Sequence, residues 1–119
     1  MAELRDLDVL RPESHVMRLK GHDIDVSFVP SGITFDVQAV VMKMSKLDQK
    51  KIAKGDNDEL AKAFALGVEL CAVFCEHDYP DMTLDWFMAN TSAEQVSELA
   101  NGIRLAYTHA YDGVDSDPN

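Results

Sequence analysis

The segment LCAVFCEHD, Leu70 to Asp78, gathers the residues of this chain best equipped for chemistry. It holds the only two cysteines, Cys71 and Cys75, four residues apart, followed by His77 and Asp78. Thiolate, imidazole and carboxylate groups all ligate zinc, so a metal site is one reading. Zinc takes four ligands, and strong zinc signatures supply them as two pairs at recognisable spacing. Here there is no second pair such as CxxC or HxxxH, and His15, His22 and His109 are scattered. The other reading is packing: Cys71 falls on the helical stripe of Leu60, Phe64, Gly67 and Phe74, where a reduced cysteine behaves as a small hydrophobe. His77 then meets the negative end of that helix. The ligand count favours packing, and the expectation is no metal and no cofactor.

Other chemistry is missing from the pattern. Nucleophilic catalysis needs a nucleophile beside an oriented base, and neither G-x-S-x-G nor a cysteine-protease signature occurs. The six glycines are isolated, with no G-x-G-x-x-G or G-x-x-x-x-G-K-[ST] to cradle a phosphate. Asp23 and Asp25 share a strand face and could in principle do acid-base work, but their alternation with Ile24 and Val26 reads as a solvent face. The expectation is a protein that is not an enzyme.

The elements that must position these residues follow from periodicity and punctuation. The opening residues 1–14 lack a sustained period, and Pro12 blocks a helix through them, so they read as an arm. Residues 15–29 give two strand-like runs around Lys20-Gly21-His22, with Ile24, Val26 and Phe28 alternating against Asp23, Asp25 and Ser27, the pattern of a β-hairpin. Two strands are marginal alone, so helices or a neighbouring subunit must cover them. Thr34 is a candidate N-cap for a helix over 34–54, with Val37, Val40, Val41, Met44 and Leu47 at helical spacing and Gly55 at its end. A second helix spans 58–77 and stops before Pro80; between Ala63 and Cys75 it carries one charge, Glu69, which places it in the middle of the domain. Thr83 starts a short helix over 84–90. Thr91 and Glu94 form a T-x-x-E capping box for a last helix over 92–110, whose Val96, Leu99, Ala100, Ile103, Ala106 and Tyr107 make an apolar stripe. Residues 112–119 read as an acidic, disordered tail. The fold class is α+β: a mainly helical single domain over 15–111, of three to four helices, with a small N-terminal β-hairpin.

Composition bounds the partners. A chain of 119 residues can bury a core without staples. Two cysteines and no charged-then-apolar leader point to a reducing, cytoplasmic setting. The longest apolar stretch is shorter than the roughly 20 residues a spanning helix needs, so no membrane partner is expected. The formal charge is −10, and from Ala63 onward Arg104 is the one Lys or Arg against ten acids. That half repels nucleic acid. Lys43, Lys46, Lys50, Lys51 and Lys54 instead cluster, either as a solvated helix face or as a contact for an acidic protein, and no aromatic residues interleave with them as in a nucleic-acid binder.

In its layout the chain resembles the small tail assembly chaperones of long-tailed bacteriophages. The likeness rests on an acidic arm, the hairpin Val16-Met-Arg-Leu-Lys-Gly21-His-Asp-Ile24-Asp-Val26, a Pro-led start to the helices, and the late segment LDWFMANTSAEQVSELANGI, and it covers about Leu7 to Tyr111. The resemblance implies a non-enzymatic chaperone in the cytoplasm of the infected bacterial host. Such a protein binds the tape-measure protein, with the tail-tube protein as a further client, and is absent from the mature virion. Members of the family often have a longer, frameshifted product, and this chain's ending is compatible with the short form. The family has no catalytic residues to carry over.

Partner-binding candidates therefore come from physics. A chaperone for an apolar helical client needs an exposed apolar groove with adaptable side chains, and methionine suits such surfaces. The candidates are Met42, Met44, Met82, Trp86, Phe87 and Met88, with Lys43, Lys46, Lys50 and Lys51 orienting the client; the competing reading places the six apolar ones in the core. Two other functions fit the same sequence. One is a connector retained in the particle, or a self-associating subunit, whose hairpin adds strands to a neighbour's sheet. The other is a small acidic inhibitor of a host protein, which the charge favours and the lysine cluster opposes.

Overall fold

In the computed structural model, which describes Leu4 and residues 14–108, the chain begins with the strands β1 (Val16–Leu19) and β2 (His22–Asp25). They pair antiparallel with Val16 opposite Asp25 and Leu19 opposite His22. The two-residue turn between them has positive φ at both Lys20 (52°) and Gly21 (82°), the backbone that matches the right-handed twist of a hairpin. One face sends Leu19, Ile24 and Val26 inward, while the other exposes Arg18, Asp23 and Asp25. Ser27, expected on the solvent side, is buried: its Oγ accepts a hydrogen bond from the His15 N–H at 2.7 Å, which satisfies it inside.

Five helices follow among the described residues, after a 3-10 turn at Ser31–Ile33: α1 (Thr34–Ser45), α2 (Gln49–Ala53), α3 (Asn57–Glu76), α4 (Leu84–Asn90) and α5 (Ala93–Thr108). The result is a small single domain, mostly helical, with the hairpin at its N-terminal side. No helix among the described residues is long and apolar enough to cross a membrane. The arm, the tail and the last two residues of the expected 92–110 helix lie outside the described residues.

The single helix expected over 34–54 is two helices. The chain turns at Lys46 to Asp48, and Asp48 then caps α2, its carboxylate accepting from the Lys50 and Lys51 N–H groups. The backbone N–H of Asp48 donates to Oε2 of Glu59 on α3 at 2.7 Å, and that carboxylate is itself buried. A polar contact across 11 positions thus makes a corner where local propensity alone continues a helix. Two caps also differ from expectation. Thr34 does not cap α1, because its hydroxyl donates back to the Pro30 carbonyl. At α5 the reciprocal box is Ser92 with Gln95, one residue beyond Thr91 and Glu94, while the Thr91 hydroxyl donates to the Phe87 carbonyl instead.

The core is built around α3, whose Val68, Leu70, Cys71, Phe74 and Cys75 are buried. Helices α1 and α5 pack along it, α4 crosses its far end, and α5 presents the expected Val96, Leu99, Ala100, Ile103 and Ala106. The hairpin lies over α5 where Gly102 leaves room: a Cβ there would come within 2.8 Å of the Met17 methyl carbon. The Tyr79 hydroxyl donates to the Asp23 carbonyl and tethers the hairpin to the loop after α3.

Removing the Glu59 carboxylate takes away the partner of the Asp48 N–H at the α1–α2 corner, a part-buried hydrogen bond. Glu59→Ala is expected to lower unfolding free energy by about 0.5–1.5 kcal/mol, the usual net worth of one hydrogen bond, and Glu59→Gln by less. Urea denaturation of the three chains checks this, and equal midpoints would remove the corner from the account of stability.

Candidate functional site

The ten residues singled out by sequence do not form one surface. Met82 is 1% exposed and Phe87 is equally buried, so both are corrected to core: α4 turns Phe87 toward α3, and Met82 fills the corner before α4. Trp86 is half-buried, edge-on to the Phe87 ring at 5.0 Å. Met42 and Met88 are exposed, Met88 at 60%. Met44 is half-buried on α1, and Lys43, Lys46, Lys50 and Lys51 are exposed.

Of the ten, Met44 alone lines a groove of about 600 Å3. Most of its lining comes from three segments, with Gln49 of α2 beside them. The end of α1 and the corner after it give Val41, Met44 and Leu47; the first half of α3 gives Leu60, Phe64 and Gly67; α5 gives Val96, Ala100 and Arg104. Leu60 and Phe64 keep 41% and 37% of their surface in solvent, a large apolar exposure for side chains on the helix that organises the core. Sequence reading placed these two on the buried stripe with Cys71. The stripe is real, but its first two turns run past the cover that α1 and α5 provide, and α2 is too short to close the gap. Phe35 on α1, also exposed, carried no signal either.

Beside the groove lies a smaller hollow of about 390 Å3, lined by Lys43, Lys46 and Lys62 with Glu59, and Leu47 lines both. Lys62 approaches Glu59 at 3.6 Å, and Lys43 pairs with Glu69 at 3.4 Å across the surface. The acids of α5 face elsewhere: Glu94 and Glu98 line a third hollow with Met17, Arg18 and Leu19 of the hairpin.

Cys71 and Cys75 are free thiols inside the core. Among the described residues no three His, Cys, Asp or Glu side chains gather as a metal site would require. The Cys71 thiol, in sulfur hydrogen-bond reach of the Val96 carbonyl at 3.6 Å, is pushed up by burial and then by Cys75; burial, and then the Asp78 carboxylate, push Cys75 up to about 12. Both stay protonated and unreactive at neutral pH. The Asp23–Asp25 pair is likewise committed. Asp23 accepts a hydrogen bond from the Arg18 guanidinium, which holds its carboxyl below the ordinary range, and Asp25 accepts from the Ser27 N–H. The arrangement presents an open apolar groove with lysines along one margin. Comparison of the chain with protein-family models, with curated proteins and with solved structures finds no match.

The buried thiols set a pH dependence. An unfolded Cys75 titrates near 9.0 and the folded one near 12, so between these values the unfolded chain holds fewer protons and stability falls as pH rises. The thiol's contribution is complete below about pH 9 and is lost as pH rises through about 12. Urea midpoints measured from pH 8 upward are expected to decline less steeply for Cys75→Ala than for the parent chain; parallel declines would exclude the thiol as the cause.

Proposed function

We propose that this chain is a non-enzymatic tail assembly chaperone of a long-tailed bacteriophage, which holds the tape-measure protein before the tail tube polymerises, with the tail-tube protein as a second client. It acts in the cytoplasm of the infected host and leaves before the particle matures. Support comes from two directions. The layout of hairpin and helices resembles that family, and the observation that carries the reading is the open apolar groove bounded by Met44, Leu47, Leu60 and Phe64.

A tape-measure protein is a long helical chain, and its apolar stripes are exposed until the tube closes around it. Such a client needs a cover that binds one face of a helix without fixing one sequence. The groove offers this physically. Leu47, Leu60 and Phe64 supply apolar area, and Met44, unbranched and polarizable, adapts to different side chains. The binding residues are therefore Met44, with Val41, Leu47, Leu60 and Phe64 added to it. Trp86, Met42 and Met88 line no part of the groove.

Co-expression with the tape-measure protein from the same genome is expected to keep that client soluble and to give co-elution on size exclusion. Phe64→Asp should weaken retention by about 10- to 100-fold, the equivalent of about 1.5–3 kcal/mol for one large apolar side chain, with unchanged helical circular dichroism. Met88→Asp, on exposed surface outside the groove, should co-elute as the parent does. An insoluble client beside an unaltered elution of this chain defeats the reading, and loss through Met88→Asp but not Phe64→Asp moves the site to α4.

A further inference from the structure

The groove belongs to a chain of net charge −10, yet none of its 21 Asp and Glu residues is among the described residues that line it; Arg104 is the one charged side chain there. On the other side of Leu47 stand Lys43, Lys46 and Lys62. Their hollow contains one acid, Glu59, whose Oε2 is engaged by the Asp48 N–H and whose Oε1 stands 3.6 Å from Lys62. The pair from Lys43 to Glu69 lies in solvent at both ends, so it exchanges readily for a better partner. The apolar lining accepts a helix of either flank charge, whereas the lysine margin does not. We propose that the occupant of this groove is an amphipathic α-helix with a row of carboxylates along one flank, its apolar stripe seated on Leu60 and Phe64 and its acids against Lys43, Lys46 and Lys62.

This rests on the reading of the groove as a client site and adds the chemistry of the client. A helix fits because it is a cylinder about 10–12 Å across with an apolar stripe and a charged flank side by side, the same order as groove and lysines. Extended polyanions fit poorly. A nucleic acid or an anionic membrane carries its charge well past the lysine margin and meets the acids elsewhere on the chain, while a helix interacts with the groove and its rim alone.

Two synthetic amphipathic peptides with an identical leucine stripe, one flanked by glutamates and one by lysines, test this by fluorescence anisotropy on the full chain. At low salt the glutamate peptide is expected to bind about tenfold or more tightly than its twin, with the ratio shrinking several-fold at about 0.5 M salt. Lys43→Glu/Lys46→Glu should reverse the preference, Lys43→Gln/Lys46→Gln should abolish it, and Lys20→Glu, in the hairpin turn, should leave it intact. Equal affinities, a lysine preference, or a preference that survives the charge reversal overturns the proposal. So does tighter binding to phosphatidylserine vesicles than to the peptide, or sedimentation showing that a second copy occupies the groove. Retention of the tape-measure protein without any peptide preference defeats the charge inference alone; a glutamate preference without retention defeats the chaperone reading alone.

Discussion

The structure depends on one constraint: α3 has almost no polar side to give to water in its second half. Between Gly67 and Cys75, Val68, Leu70, Cys71, Phe74 and Cys75 point in different directions round the helix, and all are buried. Each large apolar side chain among them favours burial by about 1.5–3 kcal/mol, so the helix must be covered on several sides at once. Helices α1 and α5 do so along its length and α4 across its end, which sends Met82 and Phe87 inward. The hairpin, too small to stand alone, closes the outer side of α5 at Gly102.

The groove is where this cover stops. At its N-terminal end α3 keeps the apolar stripe with Leu60 and Phe64, but the chain opposite it has turned away at Lys46 to Asp48. A straight helix over 34–54 would have presented one continuous ridge; the break instead sets Leu47 as a wall and leaves a five-residue α2 behind it. Glu59 fixes that geometry with a carboxylate that serves the corner on one side and meets Lys62 on the other. A polar latch buried at the edge of a core defines one arrangement more narrowly than apolar contact does, since hydrogen bonds are directional and apolar burial is not.

Much of the fold was legible because its signals are local. Periodicity located the helical stretches, with 34–54 read as one helix where there are two, Pro80 and Gly55 marked breaks, and alternation gave the hairpin with its buried and solvent faces. The misreadings share a physical origin in tertiary contacts. Nothing in Lys46-Leu47-Asp48 forbids a helix, and the corner is held by a residue 11 positions away. Ser92 and Thr91 both satisfy a capping pattern, and the choice falls to Ser92 because the Thr91 hydroxyl is taken by Phe87. The site was harder still. Methionine chemistry does not distinguish buried Met82 from exposed Met88, and the Leu60–Phe64 stripe looks identical whether or not a neighbour covers it. Exposure of an apolar residue is a property of the whole packing, so no single segment announces it.

An uncovered apolar groove is ordinarily an invitation to self-association, since a second copy offers the same surface at the same concentration. Here electrostatics act against it. The net charge of −10 keeps copies apart at long range, within the limits of salt screening. At short range a two-fold pairing is isologous, so only one whose axis runs through the lysine margin would set Lys43, Lys46 and Lys62 of one copy against the same three of the other. In that pairing the lysine margin opposes the homotypic occupant for the same Coulombic reason that it would attract an acidic flank. One cluster of like charge beside an apolar surface can thus disfavour a surface of the same charge and favour one of opposite charge, because repulsion and steering are the same field seen by two different approaching surfaces.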